Sequence, residues 1–231
     1  MHDNLHPEQH FTASKTVRDI IIGMADGLTV PFALAAGLSG AVDHTSIIVV
    51  AGLAEIAGGS ISMGLGGYLA AKNEVDHYNH EKKREHEEIV HMPERERQEV
   101  AHIFAGYGLS DQEIAPILNK LTQNPDTWVD FMMRYELNLE EPDKHRVYKS
   151  ALTIAVSYLL GGIVPLLPYM FTNSPRAALL DSALLTLAAL FVFGYGKARL
   201  IGARPFVGAI QTTALGGVAA SAAYGLARLF S

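Results

Sequence analysis

The sequence predicts an all-α integral membrane protein with five transmembrane helices and a polar helical insert between the second and the third. Long apolar segments nearly free of charge alternate with polar stretches, and each is long enough to provide the ~20 apolar residues that cross a hydrocarbon core. In addition, 17 of the 24 acidic residues lie between Glu74 and Asp143, which favours spans plus one polar insert over a soluble domain. The predicted regions are an N-terminal tail at 1–16, spans one and two at 17–71, the insert at 72–149, and spans three to five at 150–231.

The composition excludes several kinds of site and partner. The chain has no cysteine, so any metal must be held by carboxylate, imidazole, thioether, hydroxyl or carbonyl groups. No nucleic-acid-binding signature is present in the sequence. We expect the polar tail not to be a signal peptide, because the apolar stretch after it is too long. Its histidines His2, His6 and His10 recur every four residues, but we expect a disordered tail rather than a metal site.

Each of the first two apolar segments carries one carboxylate within its length. Asp26 lies in the segment 17–42, and Glu55 lies in the segment 47–71. A carboxylate surrounded by hydrocarbon is energetically costly, so such a group normally faces a cavity or a partner and marks an ion path. Any function proposed for the chain therefore has to explain Asp26 and Glu55.

Residues close to the two carboxylates favour a metal cation on this path. Pro31 cannot donate a backbone hydrogen bond, so it predicts a break in span one that frees a carbonyl near Gly27, beside Asp26. Met63 follows Glu55 by eight residues, a little over two helical turns, and lies near the same face. Its soft thioether would favour a transition metal over Na⁺ or Ca²⁺, although simple packing remains the alternative for Met63.

The insert is predicted to contain four helical elements joined by short breaks. A Met-Pro-Glu sequence that starts at Met92 separates the first two, and the spacing of Ser110 and Glu113 is typical of a capping box that starts the third. The predicted elements are 73–90 as a continuation of span two, 94–106, a helix from Ser110, and a helix from Asn124 to about Glu140.

The last three spans are predicted at 150–171, 177–196 and 206–230. Pro165 and Pro168 predict a kink in span three. The same span contains Tyr158, whose hydroxyl needs a partner if it is buried. Span five consists mostly of small residues, so we expect it to pack between other helices.

The distribution of basic residues predicts a cytosolic N-terminus and a cytosolic insert. With five spans, the tail, the insert and the loop 197–205 fall on one side, and together with Arg18 at the start of span one they hold 16 of the 18 Lys and Arg residues. Basic residues accumulate on the cytosolic side of membrane proteins. The two exceptions are Arg176, between spans three and four, and Arg228, near the end of span five.

Acidic pairs in the insert predict a divalent-metal site built from helix faces. Glutamates recur three residues apart on the first two helices, and two methionines precede a glutamate on the last. Inward-facing carboxylates in helix bundles are a known way to hold iron or manganese. The alternative is a solvated helix stabilised by ion pairs. The candidate ligands are Glu85, Glu88, Glu96, Glu99, Met132, Met133 and Glu136.

Taken together, these motifs resemble the vacuolar iron transporter family. The resemblance includes the stretch that begins Asp26-Gly-Leu-Thr-Val-Pro, the stretch Gly52-Leu-Ala-Glu-Ile-Ala and the stretch Ser62-Met-Gly-Leu-Gly-Gly-Tyr. It extends over nearly the whole chain, including 128–137 and 150–171.

The resemblance implies a homodimer of five-span subunits that exports cytosolic Fe²⁺, and often Mn²⁺, into a storage compartment in exchange for protons. It implies that Asp26, Glu55 and Met63 lie on a path at the dimer interface, with Tyr158 close to it. The insert would bind the cargo ion (Fe²⁺, Mn²⁺, Zn²⁺ or Co²⁺) through the seven candidate ligands. The expected location is the vacuolar membrane, or the plasma membrane if the chain is bacterial.

Two other classes of function remain open at this point. A membrane-anchored metal buffer or sensor would use only the insert, but it leaves Asp26 and Glu55 unexplained. A di-iron oxidase would use Glu-x-x-His pairs such as Glu88 with His91 and Glu99 with His102, but it gives the spans no task. We therefore predict a transporter without catalytic cofactors, and not an enzyme.

Overall fold

A computed structural model describes residues 15–230, and within that range all regular secondary structure is α-helical. The predicted tail and its three histidines lie outside the described residues, except for the last two positions of the tail. The described helices are α1 (Lys15–Ala41), α2 (Thr45–His91), α3 (Pro93–Gly106), α4 (Asp111–Leu121), α5 (Pro125–Tyr135), α6 (Arg146–Phe171), α7 (Pro175–Leu200) and α8 (Pro205–Phe230).

Five of these helices are long and apolar enough to cross a membrane, namely α1, α2, α6, α7 and α8. This confirms the all-α fold class with five candidate spans. Helix α2 is continuous over 47 residues, which at 1.5 Å per residue corresponds to about 70 Å. A hydrocarbon core is only ~30 Å thick, so α2 is longer than a membrane crossing requires, and its second half is polar.

The chain divides into two compact units. The bundle unit comprises residues up to Tyr68 together with those from Tyr148 onward, and the insert unit comprises Leu69–Val147. Helices α1, α7 and α8 pack against one another in the bundle unit, so α8 lies against two other helices, as its small residues predicted.

Glycines bring α1 and α6 into backbone contact within the bundle unit. A Cβ atom on Gly23 would collide with the carbonyl oxygen of Ile154, and one on Gly27 would collide with the carbonyl oxygen of Tyr158. Both glycines are buried on α1, one turn apart. Only glycine permits this approach, which places Tyr158 directly against α1 next to Asp26.

The break predicted at Pro31 is not found, because α1 continues as a helix through this proline. Pro31 is buried, and the helix loses only one backbone donor there. Helix α6 likewise runs through Pro165 and Pro168, and the Pro165 carbonyl accepts a hydrogen bond of 2.7 Å from Ser182 Oγ. Neighbouring helices and side chains can stabilise proline-containing spans in this way.

The insert unit has its own apolar core, contributed by all four of its helical segments. Salt bridges and hydrogen bonds join the segments at the surface: Lys82 Nζ lies 2.9 Å from Asp130 Oδ1, and Arg97 donates to Thr122 and Asn119. The core residues are Tyr78, Ile89, Val100, Ile114, Leu118, Trp128, Val129, Met132 and Met133.

The starts of α4 and α5 agree with the sequence prediction, whereas the end of α5 does not. Glu113 accepts hydrogen bonds from the backbone and the hydroxyl of Ser110, as the capping box predicted. Asn124 caps α5 by accepting from two backbone N–H groups. The prediction that α5 runs to about Glu140 was wrong, because the helix ends at Tyr135 and Asn138 adopts φ 52°. A left-handed residue cannot continue a right-handed helix.

Candidate metal sites

Glu55 and Tyr158 are in direct contact in the bundle unit. The Tyr158 hydroxyl donates a hydrogen bond to Glu55 Oε1. Tyr158 is only 2% exposed, and Glu55 Oε2 is buried without a hydrogen-bond partner among the described residues. A buried carboxylate oxygen with a vacant lone pair is costly unless a ligand or a proton satisfies it. Its other oxygen is already fixed by the tyrosine.

Two glycines position the Tyr158 side chain and backbone. A Cβ atom on Gly59, one turn after Glu55 on α2, would lie 2.5 Å from the Tyr158 hydroxyl. Gly27 of α1 packs on the Tyr158 backbone, and its chain neighbour Asp26 is half-buried. The structure thus gathers Asp26, Glu55 and Tyr158 where α1, α2 and α6 meet.

Met63 lies further along α2 and is half-buried. The adjacent Gly64 packs against Ala151 and Ala155 of α6, where its Cβ would lie 3.0 Å from the Ala155 Cβ. Met63 therefore belongs to the same helix as Glu55, two turns away, while the direct contact in the site is between Glu55 and Tyr158.

Asp19 is a buried carboxylate that the sequence analysis did not single out. It is 3% exposed, and Arg18 Nε lies 4.0 Å from its Oδ1. Its position near the start of α1, beside an arginine, is typical of an ordinary helix-end residue. The available signal was spacing, because Asp19 precedes Asp26 by seven residues and so lies near the same face of the helix.

In the insert unit, five glutamates form two overlapping clusters of carboxylates. In each cluster, one oxygen from every member lies within 4.8 Å of the others, and Glu96 belongs to both. Glu85 and Glu96 are each only 1% exposed, so this face of the helices is not the solvated surface of the alternative interpretation. The clusters are Glu85, Glu88 and Glu96, and Glu96, Glu99 and Glu136.

The environment of three of these glutamates favours their neutral form in the absence of a cation. Burial, together with the nearby carboxylates of Glu136 and Glu88, raises the pKa of Glu85 to about 7. Burial and the neighbouring Glu99 and Glu85 raise the pKa of Glu96 to about 7. The pKa of Glu136 is also raised by burial and by Glu99 and Glu88. Several acids are therefore held close together with too little positive charge.

Two arginines neutralise part of this negative charge from the outer side. Arg84 Nη1 lies 2.7 Å from Glu81 Oε2, and its other nitrogens lie 3.6 Å from Glu85 and from Glu88. Arg95 Nε donates to Glu99 Oε1 at 3.1 Å. These contacts leave the innermost oxygens unpaired, since Oε2 of Glu85 and Oε2 of Glu96 are buried without a partner among the described residues.

The chemistry of this donor set fits a divalent cation. Clustered carboxylate oxygens suit hard or borderline ions such as Mn²⁺ and Fe²⁺, and an open cleft of about 550 Å³ gives access past Glu99, His102 and Glu136. Met132 and Met133 are at most 1% exposed and lie in the apolar core, so their role as thioether ligands stays a prediction. His91 and His102 are exposed.

A family model described as the VIT family matches residues 17–228. The chain belongs to the VIT family. It is 57% identical to vacuolar iron transporter 1 of Oryza sativa subsp. japonica over 223 residues, which is 96% of this chain and 88% of the relative. Vacuolar iron transporter 1 of Arabidopsis thaliana is 56% identical over 224 residues, with 97% and 90% coverage. Protein CCC1 of Saccharomyces cerevisiae is 40% identical over 223 residues, with 93% and 69% coverage.

These comparisons confirm the resemblance inferred from the sequence. The plant relatives are named as transporters and not as enzymes, in agreement with the class predicted for this VIT-family chain.

Proposed function

We propose that this protein is a proton-coupled antiporter that moves Fe²⁺ from the cytosol into the vacuole for storage and detoxification. Mn²⁺ and other divalent transition metals are proposed as further cargo. Support comes from VIT-family relatives named vacuolar iron transporters and from five candidate spans. The proposed orientation places the N-terminus and the insert in the cytosol, where 16 of the 18 basic residues would then lie. The proposed assembly is a homodimer.

The observation that carries the proposal is the unsatisfied carboxylate of Glu55 within a membrane-spanning helix. Its Oε1 is held by Tyr158, whereas its buried Oε2 has no partner among the described residues. Ionisable groups at such positions mark substrate and ion pathways. A metal-free oxygen that is already oriented can accept either a cation or a proton, which is the exchange an antiporter requires.

In the proposed mechanism the insert collects the ion and the bundle unit transports it. The clustered glutamates of the insert raise the local Fe²⁺ concentration on the cytosolic side. Asp26 and Glu55, with Met63, then bind the ion within the membrane, and Tyr158 holds the Glu55 carboxylate in position. Protons arriving from the acidic lumen neutralise these carboxylates and release the metal, because protonated carboxylates are poor metal ligands.

A membrane-anchored metal buffer is the second candidate, favoured by one observation. The two glutamate clusters could hold ions without any transport by the spans. A buffer requires neither a gradient nor the bundle carboxylate, so metal flux separates the two functions.

Uptake of Fe²⁺ into proteoliposomes with an acidic interior tests the proposal. The full-length chain should accumulate Fe²⁺ only when the interior is more acidic than the bath, and Glu55→Gln should abolish accumulation while leaving Fe²⁺ binding by the insert intact. Asp181→Asn is the matched control, because it removes an exposed carboxylate from α7, another candidate span. Binding without flux in the unsubstituted chain would establish a buffer instead, and full uptake by Glu55→Gln would refute the role of Glu55.

A further inference from the structure

Two neighbouring cavities on α1, α7 and α8 lie outside the proposed transport path. One is polar, has a volume of about 430 Å³, and lies at the end of the bundle unit where α1 ends and α7 begins. The other is apolar, has a volume of about 330 Å³, and is bordered by earlier turns of α1 and α8 and by later turns of α7. Tyr224 of α8 borders both cavities, so they adjoin.

Two exposed arginines line the polar cavity, and neither guanidinium group has an ionic partner among the described residues. Arg176 comes from the first turn of α7 and Arg228 from the last turn of α8. Neither side chain forms a salt bridge or a hydrogen bond within the part of the chain that the structure describes. They are also the two basic residues that lie outside the tail, the start of span one, the insert and the loop 197–205. The distribution that orients the chain therefore does not explain them.

Packing holds Arg228 at this position. Its stem lies so close to α1 that a Cβ atom on Gly40 would be 3.3 Å from the Arg228 Cγ and 3.3 Å from the Tyr224 ring. Asp43 also borders the cavity and supplies one negative charge. Two arginines and one aspartate leave a net charge of about +1, which matches the single negative charge of a phosphodiester. Guanidinium groups recognise phosphate oxygens through paired hydrogen bonds.

The apolar cavity continues from the arginines along the helices. Its wall includes Phe32 of α1, Leu187 of α7 and Gly217 of α8. Arg176 and Leu187 are eleven residues apart on α7, as are Gly217 and Arg228 on α8, which corresponds to about 16 Å along each helix. One leaflet contributes about half of a ~30 Å hydrocarbon core. The groove therefore has the length of one leaflet, with its cationic end at the headgroup.

We propose that these two cavities form one binding site for a glycerophospholipid. The phosphodiester lies between Arg176 and Arg228, and one acyl chain occupies the groove that runs past Tyr224 to Leu187. A free phosphate would fill only the polar part, and a neutral lipid would leave both guanidinium groups without an anion. The proposal is independent of the metal path and of the direction of transport.

Binding of dioleoylphosphatidylglycerol to delipidated full-length protein in detergent, measured by native mass spectrometry, tests this site. Dioleoylglycerol lacks the phosphate, and inorganic phosphate lacks the acyl chains, so these two probes separate the two parts of the site. We expect the phospholipid to bind more tightly than either probe. Arg176→Gln combined with Arg228→Gln should weaken phospholipid binding at least about tenfold, because hydrogen bonds to charged groups are lost.

Two further variants make the test specific. Arg199→Gln combined with Arg204→Gln removes the same charge from the other end of α7 and the adjoining turn, and it should leave phospholipid binding unchanged. Gly217→Leu should weaken binding while both arginines remain, because it fills the groove from a position whose Cβ would meet only Leu187, at 3.7 Å.

Several results would overturn the proposal. Equal binding of dioleoylglycerol would show that the phosphate is not recognised, and equal binding of inorganic phosphate would show a simple anion site. Unchanged phospholipid binding in the Arg176/Arg228 double variant or in Gly217→Leu would exclude these cavities. If the Arg199/Arg204 variant loses as much phospholipid binding as the Arg176/Arg228 variant, the lipid is attracted by the overall positive charge of the protein and not by this site.

Discussion

At the scale of single residues, the contact between Tyr158 and Glu55 makes the sharpest prediction. Tyr158→Phe removes the hydroxyl that donates to Glu55 Oε1 while keeping the ring between α1 and α2. Loss of such an outer partner typically weakens metal affinity or activity by about 10–100-fold. We expect Tyr158→Phe to decrease Fe²⁺ uptake in proteoliposomes by about 10–100-fold without affecting folding. Uptake equal to that of the unsubstituted chain would mean that the hydrogen bond does not orient the carboxylate for transport.

The insert should bind metal in a strongly pH-dependent way. Glu85 and Glu96 each have a pKa raised to about 7, so both are mostly neutral below that pH and a metal ion must displace their protons. Affinity for Fe²⁺ or Mn²⁺ should therefore fall as the pH is lowered from 8 to 6, by up to about tenfold per pH unit for each proton displaced. Calorimetric titration in Glu55→Gln isolates the insert. A metal affinity that does not change between pH 8 and pH 6 would exclude Glu85 and Glu96 as ligands.

The same raised pKa predicts how metal-free stability changes with pH. The fold holds Glu96 above its ordinary pKa, so its contribution to stability is complete at low pH and is lost as the pH rises towards and through about 7. Glu96→Gln should thus stabilise the metal-free chain at pH 8, on the order of 1–3 kcal/mol, and change little at pH 5. Thermal unfolding in detergent measures this. Glu94→Gln, which changes an exposed residue of the same helix, is the control. If both variants stabilise the chain equally at pH 8, the raised pKa of Glu96 does not explain the effect.

Residue identities single out candidate carboxylate ligands more clearly than candidate thioether ligands. Acidic side chains inside apolar segments have few structural explanations, so Asp26 and Glu55 could be selected from the sequence alone. Methionine packs well in any apolar core, and the structure buries Met132 and Met133 in one. Whether Glu85 and Glu96 face inward depends on packing between α2 and α3, which the spacing of glutamates cannot reveal.

At the scale of helices, glycine contacts determine how Tyr158 reaches the site. Gly59→Ala places a Cβ atom 2.5 Å from the Tyr158 hydroxyl, so the ring must move away from Glu55. We expect Fe²⁺ uptake to fall at least about tenfold, because Glu55 loses the hydrogen bond from the Tyr158 hydroxyl. Gly196→Ala on α7 is the control, because a Cβ atom there meets nothing within 4 Å. Equal uptake by both variants would contradict this account of how the helices position the site.

Helix existence was predictable from the sequence, whereas helix ends and breaks were less so. Apolar length predicted all five candidate spans, and Ser110 and Asn124 marked helix starts because their side chains satisfy free backbone groups locally. The uninterrupted helix at Pro31 and the end of α5 at Tyr135 were not predictable, because they depend on packing and on the left-handed residue Asn138. Local helix propensity contains no information about such tertiary contacts.

At the scale of the whole molecule, the proposed function assigns metal capture and transport to two different units of the chain. The insert unit concentrates the acids, and the bundle unit carries few charges but places one unsatisfied carboxylate at a meeting of three helices. The segregation of charge was visible in the sequence. The convergence of Asp26, Glu55 and Tyr158 was not, because residues more than a hundred positions apart meet there only through helix packing.

The most direct test of proton-coupled antiport is to record Fe²⁺ entry and luminal pH together in proteoliposomes that contain the full-length chain. With an acidic interior and no other ion gradient, adding Fe²⁺ outside should cause metal entry and simultaneous alkalinisation of the lumen. Glu55→Gln should abolish both signals. Fe²⁺ entry that leaves the luminal pH unchanged, or that proceeds at the same rate without a pH gradient, would contradict the proposed coupling.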